Sequence, residues 1–301
     1  MTVAPHPSGN PVSASAPSPF AALRCPLCGQ PLAHHDTSLR CPEGHTFDIA
    51  RQGYASLLTG GKAPAGADTQ AMVAARDAFL AAGHYRPLAE ALAAEAAGAQ
   101  VPRDGTVLDA GTGTGYYLAA VLDALPSAQG IGLDLSKYAL RRAARAHPRL
   151  SAAVWDVWRP LPLPDHHVDL LINVFAPRNG PEFHRVLRPG GTLLVITPTA
   201  RHLSGLPRER LGLLAIDPDK DARLRRTLEG HFEPAGSRTV EYRAELPPAD
   251  LAHLIAMGPS AHHLDTDATR AWLAEHTGPV PVVVSVTLSR HRPRQGMIPP
   301  V

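Results

Sequence analysis

Val107-Leu108-Asp109-Ala110-Gly111-Thr112-Gly113-Thr114-Gly115-Tyr116-Tyr117 is an apolar run that ends in an acid, crosses three alternating glycines and enters a helix-forming stretch. A glycine reaches positive φ without steric penalty and lets the backbone pass close to a ligand. The helix that follows offers unsatisfied N–H groups at its start. A dinucleotide fingerprint would read G-x-G-x-x-G with a pyrophosphate at the helix end; the glycine run here is tighter and is preceded by Asp109. Outward from this elbow, strand and helix patterns alternate. Strands are expected at Thr106–Ala110, Gly130–Asp134, Ala152–Trp155, Val168–Val174 and Thr192–Thr197, and helices at Tyr116–Ala124, Lys137–Ala146 and Pro181–Leu187. Such alternation predicts an α/β fold with a parallel sheet covered on both faces. The β-branched run Val280–Ser289 adds a closing strand, and helix-prone stretches near 200–230 and 246–276 read as insertions over the sheet.

The elbow resembles motif I of class I S-adenosylmethionine (SAM) methyltransferases, which have a Rossmann-like sheet. On that resemblance Asp109, Gly111, Gly113, Thr114 and Gly115 form the cofactor loop. Asp134 ends the next strand, nineteen residues past Gly115, where a carboxylate can accept both ribose hydroxyls. Asp156 follows the third strand and falls near the adenine amino group, with Val157 or Leu135 against the ring. Ser136 is read as the cap of the helix beginning at Lys137. The fourth strand runs into Asn173-Val174-Phe175-Ala176-Pro177, beyond a carboxyl end where open α/β sheets bind ligands. It resembles the motif IV position of nucleic-acid methyltransferases, so Asn173 and Asp156 are the candidate catalytic residues, and Phe175, Tyr116 or Trp158 are candidates to stack on a target base.

All three cysteines lie near the amino end, in the order Cys25-x2-Cys28, twelve residues, Cys41-x3-His45. An odd number so clustered is a poor disulfide framework and suits a metal better. Three thiolates and an imidazole satisfy tetrahedral zinc and leave no open position for hydrolysis, so the metal is expected to be structural. His34 and His35 are rival fourth ligands.

The 301 residues include 44% hydrophobic and 19% charged, which excludes wholesale disorder. No apolar run approaches the ~18 residues of a membrane span. A formal net charge of +2 gives no global basic field, so any nucleic-acid surface is local. The Pro- and Ser-rich residues 1–20 lack the pattern of a secretory signal and are expected to be a disordered lead-in. Residues 21–59 are a zinc-binding domain, 60–69 a Gly- and Ala-rich linker, 70–290 the methyltransferase domain and 291–301 a tail. Thr69 or Asp68 caps the first helix after the linker, and Pro87 opens the second. Reduced cysteines place the chain in the cytoplasm.

CPLCGQPL (25–32), CPEGHTFDIARQGYASLL (41–58), RDAFLAAGHYRPL (76–88), DAGTGTGYY (109–117), GLDLSK (132–137), NVFAP (173–177), RVLRPGG (185–191) and TPTARHL (197–203) together resemble the RlmA family of 23S rRNA (guanine-N1) methyltransferases. The resemblance covers roughly residues 24–290 and implies SAM and structural zinc as cofactors. It implies a 23S rRNA hairpin as substrate, a homodimer with a basic cleft and, in one branch, macrolide (tylosin-type) resistance. Cys25, Cys28, Cys41 and His45 match the family's zinc ligands; Tyr85, Gly113, Thr114 and His202 match its SAM contacts. The linker departs from the family in holding only Lys62 as a cation, so RNA grip is expected from Arg201, Arg208, Arg210, Arg223, Arg225 and Arg226. A zinc head separated by a linker predicts that Cys25→Ser abolishes RNA methylation while SAM still binds. The rival readings are a small-molecule SAM methyltransferase, which has no evident use for the head, and a non-catalytic RNA-binding ribosome-assembly factor, which has none for an intact glycine loop.

Overall fold

The strand that ends at the glycine elbow lies in the middle of an eight-stranded sheet in this computed structural model, which describes residues 20–59, 66–207, 211, 226–258, 266–275 and 277–295. The amino-terminal head contributes β1 (Ala33–His35), β2 (Ser38–Arg40), β3 (Thr46–Asp48) and β4 (Tyr54–Ser56). Helices α1 (Gln70–Ala81) and α2 (Arg86–Ala97) precede the alternating series β5 (Thr106–Ala110), α3 (Tyr116–Ala124), β6 (Gln129–Asp134), α4 (Lys137–Ala146), β7 (Leu150–Val154), β8 (Val168–Val174), α5 (Gly180–Val186) and β9 (Leu187–Pro198). The chain continues through β10 (Phe232–Leu246), α6 (Pro248–Ala256), α7 (Thr266–Glu275) and β11 (Val280–Pro293). Thr69 accepts from Met72 N at 3.3 Å and Ser136 from Ala139 N at 3.4 Å, so both expected caps form.

Strand order is β10-β11-β9-β8-β5-β6-β7-β4. The six strands from β9 to β4 run parallel, while β11 and β10 add antiparallel at the far edge. The chain goes from β5 outward to β7 and then returns to β8 on the other side of β5. That reversal opens a crevice at the carboxyl ends of β5 and β8, where such sheets take their ligands. Side chains alternate cleanly between the faces. Val107, Leu170, Ile172, Leu194 and Ile196 join one core with residues of α1–α4, α6 and α7. Leu108, Ala110, Ile131, Leu133, Leu171 and Val195 join another with Phe183 and Val186 of α5 and with the head.

The head is thus built into the sheet. Its β4 pairs parallel with β7, Tyr54 opposite Ala152. The β7–β8 crossover, residues 155–167, carries no helix, and the face a helix would cover is filled by Phe20, Leu23, Leu32, Leu39 and Phe47 of the head. Arg24 N donates to Pro162 O at 2.9 Å and fastens the two together. Phe20, placed in the lead-in by its sequence, is buried there.

The fifteen-residue β10 lies in none of the expected strands. FEPAGSRTVEYRAEL has no apolar run, because the strand is largely exposed and is held by pairing with β11 from Phe232–Pro293 to Leu246–Val280. An edge strand needs backbone partners on one side and only part of one face apolar. The same pairing carries β11 to Pro293, past the expected end of the domain. Residues 1–19, 60–65, 208–210, 212–225, 259–265, 276 and 296–301 lie outside the described residues, and with them Lys62, Arg208, Arg210, Arg223 and Arg225. Among the described residues no helix is long and apolar enough to cross a membrane.

Candidate functional site

The elbow after β5 folds back on the neighbouring strand. Gly111 N and Thr112 N both donate to Leu133 O, at 2.9 and 3.0 Å. All three loop glycines have positive φ, but they face different surroundings. A Cβ on Gly111 would lie 2.4 Å from Ala176 Cβ, and one on Gly115 would lie 3.0 Å from Ala143 Cα. On Gly113 it would meet only Arg76 Nη1, at 3.6 Å, so this glycine turns to the open side. Gly113 N donates to Asp134 Oδ2 at 2.9 Å and Ser136 N to Oδ1 at 2.8 Å. The strand-end acid is therefore locked against the loop with further lone pairs to offer.

Beneath the elbow, Asp109 is buried and its Oδ1 accepts no hydrogen bond; the buried hydroxyl of Tyr117 also lacks a partner. Burial pushes the Asp109 carboxyl up to about 7, Thr112 opposing and the Asp134 charge adding. Burial likewise raises Asp134, against the N–H groups of Ser136 and Gly113. Orphaned polar atoms this deep are uncommon in native proteins and mark where a ligand or water completes them. A polar nucleoside bearing hydroxyls and an amino-acid tail fits that donor set.

At the β8 and β9 ends, Tyr85, Phe175 and His202 form one aromatic group. Tyr85–Phe175 and Tyr85–His202 ring centroids are 6.2 Å apart, and Phe175–His202 5.7 Å. The Tyr85 hydroxyl lies 3.3 Å from His202 Nε2. Phe175 has a φ of 53° and is 41% exposed, a left-handed conformation that a bulky residue holds only under constraint. Asn173 supplies the constraint. It is fully buried, its Nδ2 donates to Ala110 O and Pro177 O, each at 2.9 Å, and its Oδ1 accepts from Arg178 Nε at 3.3 Å. Both amide hydrogens are spent on backbone, so Asn173 shapes the loop from beneath.

Asp156 stands elsewhere. It follows β7, where its Oδ1 accepts from Trp158 N at 3.0 Å and the neighbouring Val157 O accepts from Asn179 Nδ2 at 2.9 Å. Val157 turns into the head-side core, away from the crevice, while Leu135 is half-buried beside Asp134. Trp158 is 61% exposed, whereas Trp155 and Trp272 are buried. Arg201 pairs with Glu241 at 3.1 Å, and Arg226 is exposed.

In the head, Cys25, Cys28, Cys41 and His45 converge, every ligand atom within 4.8 Å of the others. Cys25 Sγ–His45 Nδ1 is 3.6 Å, Cys41 Sγ–His45 Nδ1 3.4 Å and Cys28 Sγ–Cys41 Sγ 3.6 Å. Tetrahedral zinc with ordinary bond lengths separates its ligands by about 3.6 Å (S···N) and 3.8 Å (S···S). The donor set fits zinc in chemistry and spacing. Gly29 and Gly44, at φ 71° and 82°, turn the two knuckles. His34 and His35 lie exposed on β1, outside the cluster.

Residues 23–60 match the family described as RlmA, N-terminal, and residues 107–191 match a methyltransferase domain. A protein of Micromonospora griseorubida named as a 23S rRNA (guanine-N1)-methyltransferase is 57% identical over 289 residues, 90% of this chain and 97% of the relative. The chain belongs to the RlmA family. A second family member, the 23S rRNA (guanine(748)-N1)-methyltransferase of Streptomyces fradiae, is 50% identical over 90% of this chain and 96% of its own length. A third, from Bacillus subtilis, is 37% identical over 61% of this chain and 67% of its own length. This RlmA-family chain therefore has a class I SAM methyltransferase fold with an amino-terminal zinc ribbon, and SAM and zinc are its cofactors.

Sequence reasoning passed over two groups in this site. Arg76 and Asp68 reach the glycine loop from α1 and the segment before it, and Ser136 Oγ donates to Asp68 O at 2.8 Å in addition to capping α4. Spacing could not show this, since the contacts join residues 68 apart in sequence.

Proposed function

We propose that this chain methylates N1 of a guanine in a 23S rRNA hairpin. The observation that carries the reading is the fusion of zinc head and SAM crevice into one sheet, in a chain that matches rRNA (guanine-N1) methyltransferases over nine-tenths of its length. A small-molecule enzyme would need the crevice without the head.

SAM, when bound, supplies an electrophilic methyl group. The chain's own work is alignment, which in favourable cases is worth several kcal/mol. Gly113 and Thr114 offer the elbow's backbone, Asp134 the ribose acceptor, and Asp156 a carboxylate at the adenine end. Tyr85 and His202 wall the methyl end. Guanine N1 must pass its proton to a carboxylate or to water as the methyl arrives. Asn173 has both amide hydrogens engaged, and Asp156 follows β7 on the cofactor's adenine side, so we assign the first to positioning and the second to the cofactor. A target base leaves its stack to enter the crevice, and aromatic faces hold such bases. Phe175 and Trp158, both exposed, are the faces on offer. Arg201 and Arg226 contribute phosphate contacts, and a homodimer supplies the second wall of the RNA cleft.

Primer extension on 23S rRNA from a deletion strain tests the reading, because N1 methylation blocks Watson–Crick pairing and halts reverse transcriptase. A stop at one guanine that vanishes on deletion and returns with the purified chain and SAM is expected. An unchanged pattern overturns it. Tylosin susceptibility of the same strain separates a resistance role from routine rRNA maturation, and light scattering reports the dimer.

A further inference from the structure

We propose that Arg76 holds the carboxylate of the cofactor's amino-acid end, and that Asp68 competes with that carboxylate for the guanidinium. This rests on the SAM reading and adds a residue to it. Arg76 lies in α1, beside the elbow but not part of it. Nη2 donates to Met257 O at 3.0 Å, Nη1 pairs with Asp68, and the same Nη1 is the one atom a Cβ on Gly113 would meet. Gly111 and Gly115 face alanines. The guanidinium therefore borders the open side of the loop, where the ligand passes.

The charge around it explains why a cation is needed there. Asp134 sets a carboxylate against the glycine loop, where it accepts from Gly113 N at 2.9 Å, and an incoming carboxylate would be repelled by it without a fixed counter-charge. An Arg fork carries five N–H donors matched to carboxylate geometry. Tyr117, whose buried hydroxyl has no partner and which feels the Arg76 charge, supplies a second donor nearby. Asp68 is not a chance surface neighbour. Ser136 Oγ grips its carbonyl at 2.8 Å, and its side chain and that of Arg76 are each mostly buried. An internal carboxylate parked on the guanidinium is what a ligand carboxylate would displace or share.

The test compares two ligands on the full-length zinc-loaded chain by calorimetry. S-adenosylhomocysteine carries the carboxylate; methylthioadenosine keeps the nucleoside and thioether and lacks the amino-acid end. Arg76→Gln is expected to weaken S-adenosylhomocysteine about 10- to 100-fold, the range of a charge-assisted hydrogen bond, and to leave methylthioadenosine within about two-fold. Arg76→Lys, which keeps the charge but not the fork, falls between. Retained methylthioadenosine binding also reports that each variant is folded. Asp68→Asn is expected to tighten S-adenosylhomocysteine a few-fold; no gain removes the competing role of Asp68. Equal loss of both ligands, or no loss of either, overturns the role of Arg76. A wild-type chain that binds neither ligand overturns the cofactor reading itself.

Discussion

The Tyr85 hydroxyl and His202 Nε2 are 3.3 Å apart and 117 residues apart in sequence, and they tie the start of α2 to the loop after β9. His202 Nδ1 accepts from Ser285 N at 3.3 Å. With Nδ1 an acceptor, the neutral ring carries its hydrogen on Nε2 and donates it to the Tyr85 oxygen. Burial pushes the Tyr85 phenol far above its usual range, so it stays neutral with its own hydrogen available to a ligand.

Tyr85→Phe removes that donor and little else. SAM affinity is expected to fall about 5- to 10-fold, the usual worth of a neutral hydrogen bond, with the melting temperature within about 4 °C of wild type. Calorimetry of binding and of unfolding reads both. A large drop in melting temperature with unchanged affinity would make Tyr85 a core residue only.

The loop glycines separate folding from binding. Gly111→Ala drives a methyl to 2.4 Å from Ala176 Cβ at φ 93°, so the backbone must shift, at about 1–3 kcal/mol or more. Gly113→Asp meets only the end of Arg76, at φ 54°, a conformation Asp tolerates. The first variant is expected to melt several degrees lower. The second is expected to melt near wild type yet lose SAM, because its side chain occupies the ligand's approach. Matching melting curves for both would contradict the assigned geometry.

The legible parts of this molecule are those whose signal is local. Thr106–Ala110, Tyr116–Ala124, Lys137–Ala146 and Val168–Val174 fall where periodicity and caps place them. The zinc ligands could be read from spacing because a knuckle is a short turn. What the pattern misses is held by distant partners. β10 is polar and exposed and exists through β11. Tyr54–Ser56 is too short to announce itself as a strand of the main sheet and becomes one by lying against β7. The end of a strand makes Asn173 a catalytic candidate from sequence, while its bonds to Ala110, Pro177 and Arg178, which brace the loop from beneath, are visible only in three dimensions.

Asp109 gives the fold a pH dependence. Its folded value, about 7, lies above the ordinary carboxylate value near 4, because burial disfavours the charge. Between those limits the native carboxyl holds a proton that the unfolded chain has lost. Stability therefore falls as pH rises from about 4 to about 7 and levels off above. Asp109→Asn cannot ionise, so it is expected to gain on wild type across that window by up to about 4 kcal/mol, at about 1.4 kcal/mol per unit. Denaturant unfolding of both chains at pH 5 and pH 8 checks this. A constant difference between them would show that Asp109 ionises at its ordinary value.

Zinc removal bears on the whole sheet. The linker implied that Cys25→Ser would spare SAM binding, but Phe20, Leu23, Leu32, Leu39 and Phe47 pack on the back of Leu108, Ala110, Ile131 and Leu133. Those residues form the strands that carry the glycine elbow and Asp134. A head of about forty residues has too little core to hold its shape without the metal. Each large apolar side chain it withdraws forfeits about 1.5–3 kcal/mol, so five approach the total stability of a typical domain. Cys25→Ser, or chelation of the wild-type metal, is therefore expected to lower the melting temperature by more than about 10 °C and to weaken SAM in step. Metal analysis, calorimetric melting and SAM titration on one sample decide it. SAM affinity unchanged in a zinc-free chain would mean that the sheet face stands uncovered, and that the head serves RNA alone.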